Sequence, residues 1–100
     1  MLRRTLNLVR QGLGPAAIAE RRDMALTTIV SHLFALASHG AVFDLSLHIE
    51  PDFLVRLQDL GVQWTLGDPL TPVYELFDGD LDWEELKIHL LYLHMQAEMA

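Results

Sequence analysis

The sequence predicts an all-α fold of about six helices. Three observations support this prediction: apolar residues recur at helical spacing, proline or a capping residue precedes most of these segments, and glycine follows several of them. About half of the 100 residues are hydrophobic, which is enough apolar surface for one core. We therefore expect a single domain over residues 1–100, with an N-terminal core at 12–42 and a packed, acidic helical half at 44–100.

Two helices are predicted at the start of the chain. Leu2, Leu6 and Val9 recur at helical spacing, which predicts a first helix that ends near Gly12. Pro15 suits the first position of a second helix, because the N–H that proline lacks is not needed there. The second helix is expected to pack on the third through a short turn.

A turn at Asp23 joins the second helix to the third in this prediction. Asp23 tolerates the left-handed backbone that a short turn requires, and the small Ala19 lets two helices cross closely. Gly40 ends the third helix. The third helix carries one apolar stripe at i, i+4 and i+7, formed by Ile29, Leu33 and Leu36. This arrangement is a helix-turn-helix, in which the third helix is the recognition helix.

The second half of the chain predicts three more helices. Pro51 begins a helix that Gly61 ends, Thr71 caps a short helix that stops at Asp78, and Asp82 caps the last helix. Between the halves, the run AVFDLSLHI predicts either a short extended wing, as in a winged-helix fold, or a bare linker.

The residues around the predicted corner resemble a known family. The resemblance is to the helix-turn-helix domain at the C-terminal end of many RecQ-type DNA helicases. It rests on GLGPAAIAERRDMALTTIVSHLFALASHGAV at residues 12–42 and LDWEELKIHLLYLHM at residues 81–95. The sharpest matching positions are Gly12, Ile18, Ala19, Arg22, Thr28, Ile29, His32, Leu33 and the segment from Trp83 to Leu93. One departure is Ala25, where the family usually has a capping serine, so Thr27 or solvent must satisfy the first amides of the third helix.

The resemblance implies an accessory, nucleic-acid-binding module of a DNA helicase. ATP hydrolysis and unwinding then belong to other parts of the parent protein, so this chain is expected to be neither an enzyme nor a cofactor binder. Its expected role is to place a branched or partly single-stranded DNA substrate. The expected contact residues are Arg21 and Arg22 on phosphates and, near the groove, Thr27, Thr28, Ser31 and His32.

Composition and spacing exclude several other kinds of site. The chain has no cysteine, which excludes disulfides, zinc ribbons and thiol catalysis. Among the five histidines, His89 and His94 point to different faces of a helix, so no metal site is expected. Because neither a secretory signal nor an apolar run of about 20 residues is present, we expect a cytoplasmic protein without a membrane contact.

The charge of the chain is divided unevenly, and this leaves its function open. The net charge is −7: residues 1–43 hold five arginines against two carboxylates, and residues 44–100 hold two cations against twelve carboxylates. So few cations predict DNA binding near or weaker than the ~10⁻⁴ to 10⁻⁶ M of non-specific binders. The alternative is a protein-interaction module whose acidic half docks a basic partner or the helicase core.

The sequence leaves two roles open for His32 on the recognition helix. It either reaches a phosphate or base edge, or it forms a hydrogen bond inside the corner. In the first case binding strengthens at mildly acidic pH, because the ordinary pKa of histidine is about 6.5.

Overall fold

The computed structural model describes residues 2–77 and 82–99, without the side chain of Met99, and this part of the chain is all-helical. Six α-helices and one 3₁₀ turn at Ser46–His48 are present, which confirms the predicted fold class. The helices are α1 (Leu2–Arg10), α2 (Pro15–Arg22), α3 (Leu26–Ser38), α4 (Pro51–Asp59), α5 (Thr71–Glu75) and α6 (Trp83–Met99). The chain divides into two compact units between His48 and Ile49. The predicted single domain stays a prediction.

The first unit is a three-helix arrangement in which α1, α2 and α3 contact one another. Its core contains the predicted stripe of α3, since Ile29 and Leu33 are fully buried and Leu36 nearly so. Val9 of α1 and Ile18 of α2 are also buried. These five apolar side chains fix the position of α3 and leave its opposite face in solvent.

The corner between α2 and α3 has the predicted geometry. Asp23 adopts a left-handed conformation with φ 54° and ψ 51°. The next amide, that of Met24, donates to the carbonyl of Ala19 at 2.9 Å, which closes the end of α2 as in a Schellman motif. Ala19 itself is buried. The turn is therefore short because one residue takes the left-handed conformation and a small residue lies in the core beside it.

The segment after α3 is a linker and not a wing. Gly40 has a positive φ of 86° and follows the last turn of α3, as predicted. Residues 41–45 have no regular secondary structure, although Phe43 and Leu45 are buried. Arg10 of α1 holds this segment by donating from Nε and Nη2 to the carbonyl of Val42, at 3.2 and 3.1 Å.

A close approach of His48 to Gly14 anchors the end of this linker. His48 Nε2 donates to the carbonyl of Gly12 at 3.0 Å. A Cβ atom built on Gly14 would lie 2.6 Å from His48 Nδ1, so glycine is needed there for space and not for its φ. The loop between α1 and α2 is thereby tied to the 3₁₀ turn.

The second unit has its own apolar core. Side chains from α4, α5 and α6, with one from the turn after α5, form this core: Phe53, Leu57, Val73, Phe77, Leu86 and Leu90. The buried His89 connects α4 to α6. Its Nδ1–H donates to the carbonyl of Glu85 at 2.8 Å, its Nε2 accepts from the amide of Glu50 at 3.0 Å, and its ring stacks on Phe53.

Two predicted caps have different outcomes. Asp82 caps α6, since its Oδ1 accepts from the amides of Glu84 and Glu85 at 2.8 and 3.3 Å. The prediction for Thr71 was wrong, because Thr71 is the first residue of α5 and Leu70 is the N-cap. Proline is tolerated throughout the first helical turn, so Pro72 at the second position is equally compatible. The predicted stop at Asp78 lies outside the described residues.

Within residues 2–77 and 82–99, no helix combines the length and apolarity that crossing a lipid bilayer requires.

Candidate nucleic-acid interface

The exposed face of α3 carries three of the six predicted contact residues. Thr27, Thr28 and Ser31 are exposed, and Ser38 lies on the same side about two to three turns further along. Ile29 and Leu33 lie on the opposite, buried side. This face is narrow, uncharged and rich in hydroxyl groups, which are both donors and acceptors of hydrogen bonds.

The first turn of α3 has no side-chain cap. Ala25 is the N-cap, with φ −68° and ψ 148°, and its methyl group accepts no hydrogen bond. The amide of Thr28 donates to the carbonyl of Ala25 at 3.1 Å, but the amides of Leu26 and Thr27 meet no acceptor among the described residues. These two N–H groups and the positive end of the helix dipole lie beside the hydroxyl-bearing face. The sequence left Thr27 or solvent to satisfy these amides. No side-chain cap is present in the structure, so solvent or a ligand must satisfy them.

Arg21 lies on the exposed side of α2. It borders a pocket of about 530 Å³ with Leu13, Ala17 and Glu20. Within the described part of the chain, Arg21 takes part in no hydrogen bond or ion pair, and the same holds for the exposed Arg3 and Arg4 of α1. These guanidinium groups are available to an anion.

Arg22 lies inside the corner, unlike Arg21. Its Nη1 donates to Thr5 Oγ1 of α1 at 2.5 Å and lies 3.5 Å from His32 Nδ1 of α3. Its Nε is buried without a hydrogen-bond partner among the described residues. Arg22 therefore connects three helices, and its Nη1 is directed into the corner.

His32 also lies in the corner, with only 9% of its surface exposed. Thr5 Oγ1 lies 3.0 Å from His32 Nδ1. Because Arg22 donates to the Thr5 oxygen, the Thr5 hydroxyl is free to donate to Nδ1, and the ring proton of a neutral His32 then lies on Nε2. Burial and the nearby positive charge of Arg22 both lower the pKa of His32. Of the two alternatives that the sequence left open for His32, the structure has the hydrogen bond inside the corner.

Thr5 completes this network, and sequence reasoning did not identify it. The helical pattern of α1 was assigned to its leucines, yet Thr5 is fully buried while Leu2 and Leu6 are half-buried. The spacing of residues could have predicted its burial, since Thr5 lies four residues before the buried Val9 and therefore on the same face of α1. Its hydroxyl accepts from α2 and donates to α3.

The described residues contain no cluster of three or more histidine, aspartate or glutamate side chains arranged to hold a metal ion. His89, one of the two histidines considered from the sequence, has both ring nitrogens bonded to backbone groups.

One comparison with known proteins, the match to a family model, agrees with this geometry. No curated protein and no solved structure matches the chain. A family model described as a helix-turn-helix domain matches residues 2–90, which include all of the first unit except Met1 and most of the second. Such domains suggest a nucleic-acid-binding module. The chain belongs to the helix-turn-helix domain family.

Proposed function

We propose that this chain is a non-catalytic nucleic-acid-binding module of a RecQ-type DNA helicase, which places DNA for the helicase core. One observation carries the proposal: α3 presents an uncharged face of short hydroxyl side chains next to two open amides. The major groove of DNA, about 12 Å wide, admits a helix with such a face. The link to RecQ-type helicases rests on the sequence resemblance, and family membership supports only the coarser part of the proposal.

The face of α3 reads the groove in this proposal. Thr27, Thr28 and Ser31 are short enough to let the helix backbone approach base edges, and their hydroxyls pair with donors or acceptors. The open amides of Leu26 and Thr27 bind a phosphate oxygen at the helix N-terminus.

Arginines of the first unit supply the remaining phosphate contacts. Arg21 is the main candidate, with Arg3 and Arg4 as additional cations. Arg22 and His32 act indirectly, because their side chains fix α3 against α1 and α2. With few cations available, binding by the isolated chain is weak and sensitive to salt.

Charge neutralisation at Arg21 tests the DNA contact. Labelled forked, duplex and single-stranded DNA are titrated with the chain and with R21Q at several salt concentrations. R21Q is expected to lower affinity several-fold and to reduce the salt slope by about one, as for the loss of one phosphate contact. R56Q is the matched control, because it removes the same charge from an exposed arginine of the second unit. Equal effects of the two variants would contradict the proposal.

The charge division supports a second candidate function, a protein-interaction module. The first unit holds five arginines against three carboxylates, whereas the second holds two cations against eleven carboxylates. An acidic unit repels DNA and attracts a basic protein surface. Pull-down with a RecQ-type helicase core, compared with retention on DNA, separates the two candidates and also tests the proposed parent protein.

A further inference from the structure

We infer that the second unit carries a docking pocket for a basic peptide segment that inserts one large apolar side chain. The pocket lies between the end of α4, the loop after it and α6, and has a volume of about 530 Å³. Every lining residue belongs to the second unit, so the inference is independent of DNA binding by the first unit. The residues that matter for the argument are Gln58, Trp64, Asp68, Leu93, His94 and Ala97.

The loop that forms one wall is held in a fixed conformation. The amide of Asp68 donates to the carbonyl of Thr65 at 3.0 Å, and Gly67 between them has a φ of 101°. The Trp64 indole N–H donates to the carbonyl of Asp68 at 3.1 Å. The amide of Leu66 donates to His94 Nδ1 of α6 at 3.4 Å. A wall fixed in this way loses little conformational entropy when a ligand binds.

The pocket has an apolar floor. Leu90 and Leu93 of α6 line it, together with Val62 and the half-buried ring of Trp64. The rings of Trp64 and His94 meet edge to face, with centroids 6.4 Å apart. Aromatic and aliphatic walls of this kind favour a large apolar side chain as the anchor of a partner.

The rim of the pocket is acidic, which selects a basic partner. Asp68 lines the pocket, and its Oδ2 accepts from the Thr65 amide and hydroxyl, while its Oδ1 has no donor among the described residues. The unit that holds the pocket is strongly acidic, with eleven carboxylates against two cations. A lysine or arginine beside the inserted side chain pairs with Asp68.

The cations of this unit are engaged away from the pocket. Arg56 lies over the ring of Phe77, with its Cζ 4.9 Å from the centroid. Lys87 lies over Trp83 at 5.6 Å and pairs with Glu84 at 3.7 Å. Within the described residues, no lysine or arginine lines the pocket to repel a basic segment or to neutralise Asp68.

Designed peptides provide the probes. Three labelled twelve-residue peptides of lysine and alanine carry Leu, Phe or Ser at the centre, and a fourth carries Leu with every lysine replaced by glutamate. The full chain is expected to bind the Leu or Phe peptide at least about fivefold more tightly than the Ser peptide, and not to bind the acidic peptide. In ¹⁵N-labelled protein, the indole N–H signal of Trp64 shifts and that of Trp83 does not.

Matched variants of α6 test the location. A97K places a cation at the pocket, and Q96K adds the same charge at the adjacent exposed position, which does not line it. A97K is expected to weaken binding of the Leu peptide roughly fivefold or more, and Q96K less than about twofold. Equal effects of the two variants, equal affinity for Leu, Phe and Ser peptides, or an unchanged Trp64 signal overturns the inference. Arg21 belongs to the first unit and does not line this pocket, so R21Q is expected to leave peptide binding unchanged. Failure of the DNA proposal and failure of this one are therefore distinguishable.

Discussion

Arg21 and Arg22 are adjacent in sequence, yet Arg21 is exposed whereas Arg22 is half-buried and donates to Thr5 inside the corner. A helix turns by about 100° per residue, so neighbours on α2 face different surroundings. The sequence predicted both as phosphate contacts, because a pair of arginines near a corner gives no sign of which one is enclosed. The deciding partner, Thr5, lies seventeen positions away in the chain. Contacts at that distance depend on packing, which local patterns do not specify.

Removing the Thr5 hydroxyl is expected to destabilise the first unit. In T5V, the partly buried Nη1 of Arg22 and the buried Nδ1 of His32 lose their shared partner, at a cost of about 1–3 kcal/mol in the free energy of unfolding. T27V makes the same chemical change on the exposed face and is expected to stay within about 0.5 kcal/mol. Urea unfolding measures both. Equal stability of T5V and T27V would contradict the structural role of this network.

Acidification is expected to destabilise the corner through His32. The folded state lowers the pKa of His32, through burial first and the charge of Arg22 second. The unfolded chain then binds the proton more readily, so the stabilisation is complete above the ordinary pKa of about 6.5 and is lost as pH falls towards the lowered value. The two side chains within hydrogen-bond distance of the His32 ring, Thr5 and Arg22, carry no carboxylate, so neither of them raises the pKa of His32.

Unfolding measured between pH 7.5 and 5 tests this dependence. In H32N, the amide oxygen accepts in place of Nδ1 but does not titrate in this range, so the variant is expected to lose less stability than the wild type. The other histidines are common to both proteins, and the difference isolates His32. Identical pH profiles would show that His32 does not couple to folding.

At the scale of elements, the sequence predicted helices and their ends where single residues decide them. Pro15 and Pro51 each stand at the first position of a helix, and Asp23 takes the left-handed conformation that its position requires. Thr71 was misplaced by one position, because proline is compatible with more than one position in the first turn. The 41–45 segment was open between wing and linker, since strand pairing depends on a partner that the sequence does not identify.

Serine at position 25 is expected to stabilise α3. Ala25 already has the extended backbone of an N-cap, and the amides beyond it are unsatisfied, so A25S supplies the missing acceptor. The expected gain in the free energy of unfolding is about 0.5–1 kcal/mol. A17S, at an exposed position inside α2, is expected to lower stability by a few tenths of a kcal/mol, about what helix propensity predicts. Thermal unfolding measures both, and a shift of the same sign in each would contradict the capping argument.

At the scale of the whole molecule, the boundary between the two units follows the division of charge. Summing charges along the chain already separated a cationic N-terminal part from an acidic remainder, and the structure divides the chain at His48, close to that point. The uneven distribution of charge is visible in the sequence because net charge needs no contacts to be counted, whereas the sequence predicted a single domain and not two compact units. It did not predict the pocket beside Trp64, which depends on how the eleven-residue loop between α4 and α5 lies against α6.

Neutralising acidic residues of the second unit is expected to strengthen DNA binding at low ionic strength only. D59N, E75Q and E98Q are combined, because these exposed carboxylates lie at the C-terminal ends of α4, α5 and α6, where negative charge is unfavourable to the helix dipole. The Debye length, beyond which charges are largely screened from one another, is about 30 Å at 0.01 M salt but about 8 Å at 0.15 M. The triple variant should therefore bind duplex DNA several-fold more tightly than the wild type at 0.01 M and about equally at 0.15 M, as fluorescence anisotropy measures. A gain that persists at 0.15 M would indicate local contact between these residues and DNA, and no gain at 0.01 M would show that the acidic unit does not repel the bound DNA.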